Sequence, residues 1–121
     1  MVKHIPLHNA STAPDRGDLV WLEFDPQAGH EQAGRRPALV ISLKSYNAKM
    51  GLALFCPITS QIKGFPFEVV LPVNGKITGA ILSDQVRNLD WKVRKAKFIA
   101  KASPEVIAEV TGKVFALMSP R

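Results

Sequence analysis

Two short apolar runs, Asp18-Leu19-Val20-Trp21-Leu22-Glu23-Phe24 and Pro37-Ala38-Leu39-Val40-Ile41, flank a glycine-bracketed polar stretch, Gly29-His30-Glu31-Gln32-Ala33-Gly34-Arg35-Arg36. The first run is rich in β-formers with partial alternation, and Asp25-Pro26 ends it. The second is almost continuously apolar, as a buried strand is, and Pro37 biases Arg36 towards an extended backbone. The glycines let the connection turn or approach a ligand closely. This pattern constrains the chain to strand, polar loop, strand, with a carboxylate, an amide and two guanidinium groups presented from the connection. Planar, permanently charged guanidinium donors match the non-bridging oxygens of a phosphate, so the loop reads as one that handles RNA phosphate.

The remaining chain continues in short β segments. Met1 to Pro14 has no periodicity and reads as a mobile leader to a single domain over 15–121. Leu43 to Met50 carries no strand pattern and reads as a turn or single helical turn closed by Gly51. Leu52–Cys56 is a third strand, leaving through Pro57-Ile58-Thr59, and Glu68–Leu71 a fourth. Asn74-Gly75 is a hairpin-type turn signal. Gly79–Val86 is apolar until Asp84 and Gln85, and Trp91–Lys101 alternates imperfectly as a last strand. The end differs: Ser103 caps a helix, Pro104 suits its first position, and Glu105 favours the positive end of its dipole. Val106, Ile107, Val110, Val114, Leu117 and Met118 recur at helical spacing. Five or six short strands followed by one amphipathic helix predict a small, strongly bent antiparallel sheet or barrel.

Charge and cysteine usage narrow the function. Lysine and arginine outnumber the acids 16 to 10, a net charge of +6, which favours a polyanionic partner or an acidic protein segment. The single cysteine, Cys56, rules out an intramolecular disulfide and fits a reducing cytoplasm. It lies in the apolar run Leu52–Cys56, as a small buried hydrophobe does. The first fourteen residues lack the apolar core of a signal peptide, and no run is long enough to span a bilayer, so no membrane role is expected. His4 and His8 have no third metal ligand nearby. There is no Walker loop, no cysteine/histidine cluster, and no grouping of carboxylates for two metal ions, so neither cofactor nor metal is expected.

A ribonuclease can work without those parts, because the attacking group is the substrate's own 2′-hydroxyl. The protein has to take its proton, stabilise the phosphorane and help the 5′-oxygen leave, giving a 2′,3′-cyclic phosphate. Arg36, Thr59 and Glu31 are of the right types for these tasks. Taken alone, Thr59 reads first as a turn hydroxyl, and Arg35 and Arg36 as solvated charges, one of them paired with Glu31. His30 has no partnered nucleophile at fixed spacing and reads as a polar loop residue. A basic group from Arg87 through Lys92, Arg94, Lys95 and Lys97 to Lys101 reads equally as a nucleic-acid track or as the solvent face of a strand. Phe65, in a Gly-Phe-Pro loop, is a candidate for stacking on a base.

Several segments together resemble the MazF/PemK family of toxin endoribonucleases, ChpB-type toxins included. They are Arg16-Gly17-Asp18 leading to Trp21, Phe24-Asp25-Pro26, Gly29-His30-Glu31-Gln32 with Arg36-Pro37, and Ala38-Leu39-Val40-Ile41-Ser42. Pro57-Ile58-Thr59, Lys63-Gly64-Phe65-Pro66-Phe67-Glu68-Val69 and Asp84-Gln85-Val86-Arg87 follow in family order. The resemblance runs from about Arg16 into the C-terminal helix. It implies an SH3-like antiparallel β-barrel of five or six strands with a C-terminal helix, the fold of plasmid-maintenance toxins. It implies a metal-independent, sequence-specific endoribonuclease acting on single-stranded RNA. It also implies a homodimer and a cognate antitoxin whose acidic, disordered C-terminal segment occupies the RNA channel. The family's catalytic arginine and threonine fall on Arg36 and Thr59, its loop glutamate on Glu31, and an RNA-reading glutamine on Gln85. His30, Gln32, Arg35, Ser60, Lys63, Phe65 and Arg87 complete the expected RNA-binding set. Some relatives carry histidine at the place of Arg35 and a second threonine at the place of Ser60, so the recognised RNA sequence does not transfer. Two other functions fit the same outline: a non-enzymatic, gyrase-poisoning toxin of the CcdB type, and a non-catalytic RNA-binding module.

Overall fold

A computed structural model of the chain describes residues 12–25 and 34–120. The strands are β1 (Asp18–Glu23), β2 (Arg35–Val40), β3 (Leu52–Thr59), β4 (Glu68–Val70), β5 (Ala80–Leu82), β6 (Arg87–Asp90) and β7 (Lys97–Lys101). Helix α1 (Lys44–Met50) joins β2 to β3, and helix α2 (Pro104–Met118) follows β7. Every strand pair is antiparallel. The order is β4-β5-β3-β2-β1-β7, with β6 also on β3, so the seven-stranded sheet is not closed. β3 is the hub: β2 runs along one edge, and the other is divided between β6, against Leu52–Phe55, and β5, against Ile58 and Thr59.

The antiparallel sheet with its C-terminal helix is the expected architecture, with more strands than five or six. The predicted Gly79–Val86 segment stops at Leu82, and the chain turns before β6 pairs with the far end of β3. The predicted Trp91–Lys101 strand is a turn as far as Lys95. Asp90 builds that turn: its Oδ1 accepts from the Lys92 and Val93 N–H groups at 3.0 and 2.9 Å, and its carbonyl accepts from Arg94. A side chain that captures backbone donors in this way competes with a strand ladder.

Leu43 to Met50 holds a seven-residue helix rather than a single turn. Gly51, at φ 70°, closes it in the left-handed region and donates to the Asn47 carbonyl. Asn47 is fully buried, bonded to the Ser42 hydroxyl and donating to the carbonyls of Ser42 and Pro14 at 3.0 and 2.8 Å. Trp91 Nε1 donates to the Asn47 carbonyl at 2.8 Å. Ala13 and Pro14, on the leader side of the expected boundary, are buried on the sheet. The Lys44 N–H, donating to the Asp15 carboxylate at 2.9 Å, holds that group below the ordinary carboxylate range.

Strand alternation gives two cores. Leu19, Leu39, Ile41, Cys56, Ile58, Val69 and Ile81 face α2, which lays Val106 and Val110 on them. Val20, Leu22, Ala38, Val40, Ala53, Phe55, Leu89 and Trp91 form the second core. The cap of α2 is as expected, with Ser103 Oγ accepting from the Val106 N–H at 3.2 Å and Pro104 at the start. The predicted stripe stops short: Leu117 and Met118 stay exposed, as does Phe115.

Gly79 holds β5 against the end of β3. Its φ is 116°, and a Cβ there would overlap the Thr59 carbonyl oxygen. Gly79→Ala is therefore expected to lower stability by about 2 kcal/mol or more, read from the midpoint of urea unfolding against the parent chain.

Candidate nucleic-acid interface

Register decides which side chains meet. β1 and β2 pair Leu22 with Arg36 and Val20 with Ala38. β2 and β3 pair Ala38 with Pro57, Leu39 with Cys56 and Val40 with Phe55, and the same register carried to the strand ends sets Arg36 opposite Thr59. β6 sets Arg87 opposite Phe55. Opposed residues share a face and alternate residues return to it. Val20, Leu22, Ala38, Val40 and Phe55 thus form the buried part of one face, and Arg36, Thr59 and Arg87 form its rim. β5 and β4 extend the rim, because Ala80 opposes Thr59 and Glu68 opposes Leu82.

At this rim a groove of about 270 Å³ is lined by Phe24, Arg36, Pro57, Ile58, Thr59, Leu82, Gln85 and Arg87. A second compartment, about 150 Å³, adjoins it and shares Thr59, Leu82 and Gln85, adding Gln61, Lys63, Phe65, Phe67 and Glu68. Arg36, Thr59, Gln85 and Arg87 are therefore brought together, with Lys63 and Phe65 next to them. Thr59 is the last residue of β3 rather than a residue beyond its end. Its Oγ1 accepts from the Gln61 N–H at 3.1 Å, which is a turn role that leaves the hydroxyl hydrogen to donate. The Arg87 guanidinium stands 5.6 Å from the centre of the Phe24 ring. Neither Arg36 nor Arg87 is ion-paired among the described residues, and both line the groove, which gives its described wall a cationic character.

Two expected contacts lie elsewhere. Arg35 precedes Arg36 in the same strand and so projects from the other face, opposite Glu23 and 5.5 Å over the Trp21 ring. Ser60 is exposed and lines neither compartment. His30, Glu31 and Gln32 lie outside the described residues. The expected basic track is not one strand face, since Arg87 is on β6, Lys92, Arg94 and Lys95 are in the turn, and Lys101 pairs with Asp18 at 3.0 Å. Sequence reasoning missed Phe24, Gln61, Phe67 and Glu68 as lining residues. Phe24 had a signal in its place at a strand end before Asp25, whereas nothing in the sequence marked Glu68.

A family model described as the PemK-like, MazF-like toxin of type II toxin-antitoxin systems matches residues 15–118. The chain belongs to this family. The Endoribonuclease toxin MazF of Escherichia coli K12 is 45% identical over 105 residues, 87% of this chain and 94% of that protein. A crystal structure of MazF from Deinococcus radiodurans matches at 54% identity with a TM-score of 0.80, covering 88% of this chain and 96% of the other. A MazE-MazF crystal structure from the same organism matches at 46% identity with a TM-score of 0.79, covering 90% and 98%. The MazF-like body therefore carries both compartments. No helix among the described residues is long and apolar enough to cross a membrane, and no three metal-ligating side chains converge among them.

Cys56 is a core residue of this MazF-like sheet. It is fully buried, and burial, reinforced by the Asp84 charge, pushes its thiol up to about 12. A thiol raised on folding contributes stability in full below the ordinary thiol range, and that contribution fades as pH climbs towards the raised value. The native protein should resist iodoacetamide at about pH 8.5 and be labelled once unfolded in urea, as intact mass will report.

Proposed function

We propose that this chain is an RNA-cleaving toxin of a type II toxin–antitoxin pair, a sequence-specific endoribonuclease that needs no metal ion. The observation that carries this reading is Arg36 opposite Thr59 at the head of a cationic groove that also holds Gln85 and Arg87. In the proposed reaction the 2′-oxygen of single-stranded RNA bonds to the adjacent phosphorus as the bond to the 5′-oxygen breaks. The products are a 2′,3′-cyclic phosphate and a 5′-hydroxyl. Arg36 donates to the non-bridging oxygens, where charge builds in the phosphorane, and the Thr59 hydroxyl adds a donor. Glu31 takes the 2′-hydroxyl proton, and the departing 5′-oxygen takes a proton from solvent water to become the 5′-hydroxyl. Gln85, Arg87, Lys63 and Phe65 hold the flanking nucleotides, and His30 and Gln32 are proposed to contact the RNA as well; Arg35 and Ser60 are left out, because they lie away from the groove. MazF names an endoribonuclease in Escherichia coli, which supports this chemistry.

A cognate antitoxin, with an acidic and disordered C-terminal segment, is the proposed second partner. The net charge of +6 and the groove arginines, unpaired among the described residues, favour such a segment. The exposed Phe115, Leu117 and Met118 at the end of α2 favour a second copy of the chain, so a homodimer is proposed. The setting is the cytoplasm.

Purified protein incubated with a long single-stranded RNA in EDTA should cut it at a recurring motif and leave 5′-hydroxyl ends, mapped by sequencing those ends. Cleavage only after Mg²⁺ is added would overturn the metal-free reaction. Arg36→Ala and Thr59→Ala should each lower kcat by about 100-fold or more with an unchanged circular dichroism spectrum. Two variants that cut like the parent would remove both residues from the mechanism.

A further inference from the structure

Glu68 is the one buried charged residue among the described residues, at 9% exposure. No cation pairs with it among them. Its Oε1 accepts from the Gly64 N–H at 2.9 Å and the Lys63 N–H at 3.2 Å, and its Oε2 also lies 3.3 Å from the Lys63 nitrogen. Two backbone amides thus take the place of a cation around a carboxylate, an arrangement that is charge-assisted and geometrically demanding.

Those amides belong to the connection between β3 and β4, where residues 60 to 66 are all exposed. With so little of the connection packed, its shape depends on a few tethers. Gly64 supplies a φ of 81°, Lys113 of α2 donates to the Pro66 carbonyl at 2.6 Å, and Glu68 ties down Lys63 and Gly64. What the tethers hold in place is aromatic. Phe65 and Phe67 stack at 5.3 Å between centroids and 18° between planes, and Phe65 stays half exposed. The compartment they line shares Thr59 with the main groove.

We infer that Glu68 is a positioning residue that fixes Lys63 and Phe65 as the seat of the unpaired base next to the scissile phosphate, and so determines which base is accepted there. The inference rests on the nuclease reading above. A base seated against an aromatic face gains stacking whatever its identity, so selection comes from the shape and backbone groups around it. Glu68 sets both. Arg36 and Thr59 are held separately by the β2–β3 ladder, so the reacting geometry outlasts loss of the tether.

The test compares the parent chain with Glu68→Ala, Glu68→Gln and Phe65→Ala. Hydrogen exchange should quicken at the Lys63 and Gly64 amides in Glu68→Ala. On an RNA containing the mapped motif, this variant should raise KM about ten-fold with a smaller change in kcat, and the cut sites should lose their preference at one nucleotide beside the cut. Glu68→Gln keeps a carbonyl acceptor and should restore most of the KM and the preference. Phe65→Ala should reproduce the KM rise. Faster exchange with unchanged KM and unchanged preference would overturn the role of Glu68. If Glu68→Ala does not fold, Glu68→Gln and Phe65→Ala decide: a parent-like KM and preference in Phe65→Ala overturns the inference. A parent chain that leaves RNA intact would overturn the nuclease reading and this role with it, whereas a parent that cuts beside variants that cut identically overturns this role alone.

Discussion

The ladder between β2 and β3 is the constraint on which the rest depends. A strand alternates its faces, so a slip of one residue would carry Arg36 and Thr59 to opposite sides of the sheet. The register is held by Val40 against Phe55, Leu39 against Cys56 and Ala38 against Pro57, six residues of which five are fully buried or nearly so. β5 and β6 then divide the free edge of β3, and Gly79 lets β5 approach the Thr59 backbone where any side chain would collide. The polar rim is a by-product of the apolar ladder, in the sense that its precision comes from residues with no chemistry of their own.

The opposite end of the sheet is fastened by a different kind of bond. Asn47 gathers Pro14, Ser42 and Trp91 into one buried polar network, and Ser42 Oγ also accepts from the Leu54 N–H at 2.8 Å. No buried side-chain polar atom among the described residues lacks a partner. Such a network is stabilising only when complete, because each orphaned group would forfeit about 1–3 kcal/mol. The two ends divide the labour: the network joins α1, the turn after β6 and the start of the body, and lies away from the rim that carries Arg36 and Arg87.

The parts of the fold legible in the sequence were those with local causes. β1 and the second apolar run showed their β-formers, and α2 showed its cap, its proline and its stripe. α1 was legible only as a helical turn closed by Gly51; its full length was not, because Asn47, which secures it, is also partnered by residues far away in sequence. The split after Leu82 was hidden because the apolar run continues to Val86 although the chain turns after Leu82, and because β6 buries only Leu89. The turn after Asp90 was hidden because carboxylate capture of backbone donors leaves no hydrophobic period. At the site, Arg36, Thr59, Gln85 and Arg87 were named by residue type and resemblance, and their convergence is a matter of register. Arg35 was grouped with Arg36 as loop charge; as neighbours in one strand they face opposite ways, and Arg35 is spent on Trp21. Glu68 was quoted in a motif without a role, because a buried carboxylate that accepts backbone donors looks like any surface acid in sequence.

Charge placement follows the same division. The buried acid, Glu68, is hydrogen-bonded by backbone amides, whereas Arg36 and Arg87 at the rim are left without a counter-charge among the described residues. Pairing those arginines within the chain would add little stability, since exposed ion pairs contribute about 0–1 kcal/mol. It would also place a carboxylate where the proposed RNA phosphate lies. With no counter-charge among the described residues, these arginines make the groove attractive to any extended polyanion, RNA or acidic peptide alike, and make that attraction sensitive to salt. Charge alone therefore does not distinguish the two proposed partners. The distinction falls to the compartment beyond Thr59, where a stacked phenylalanine pair held by Glu68 offers a flat base something that an acidic side chain cannot use.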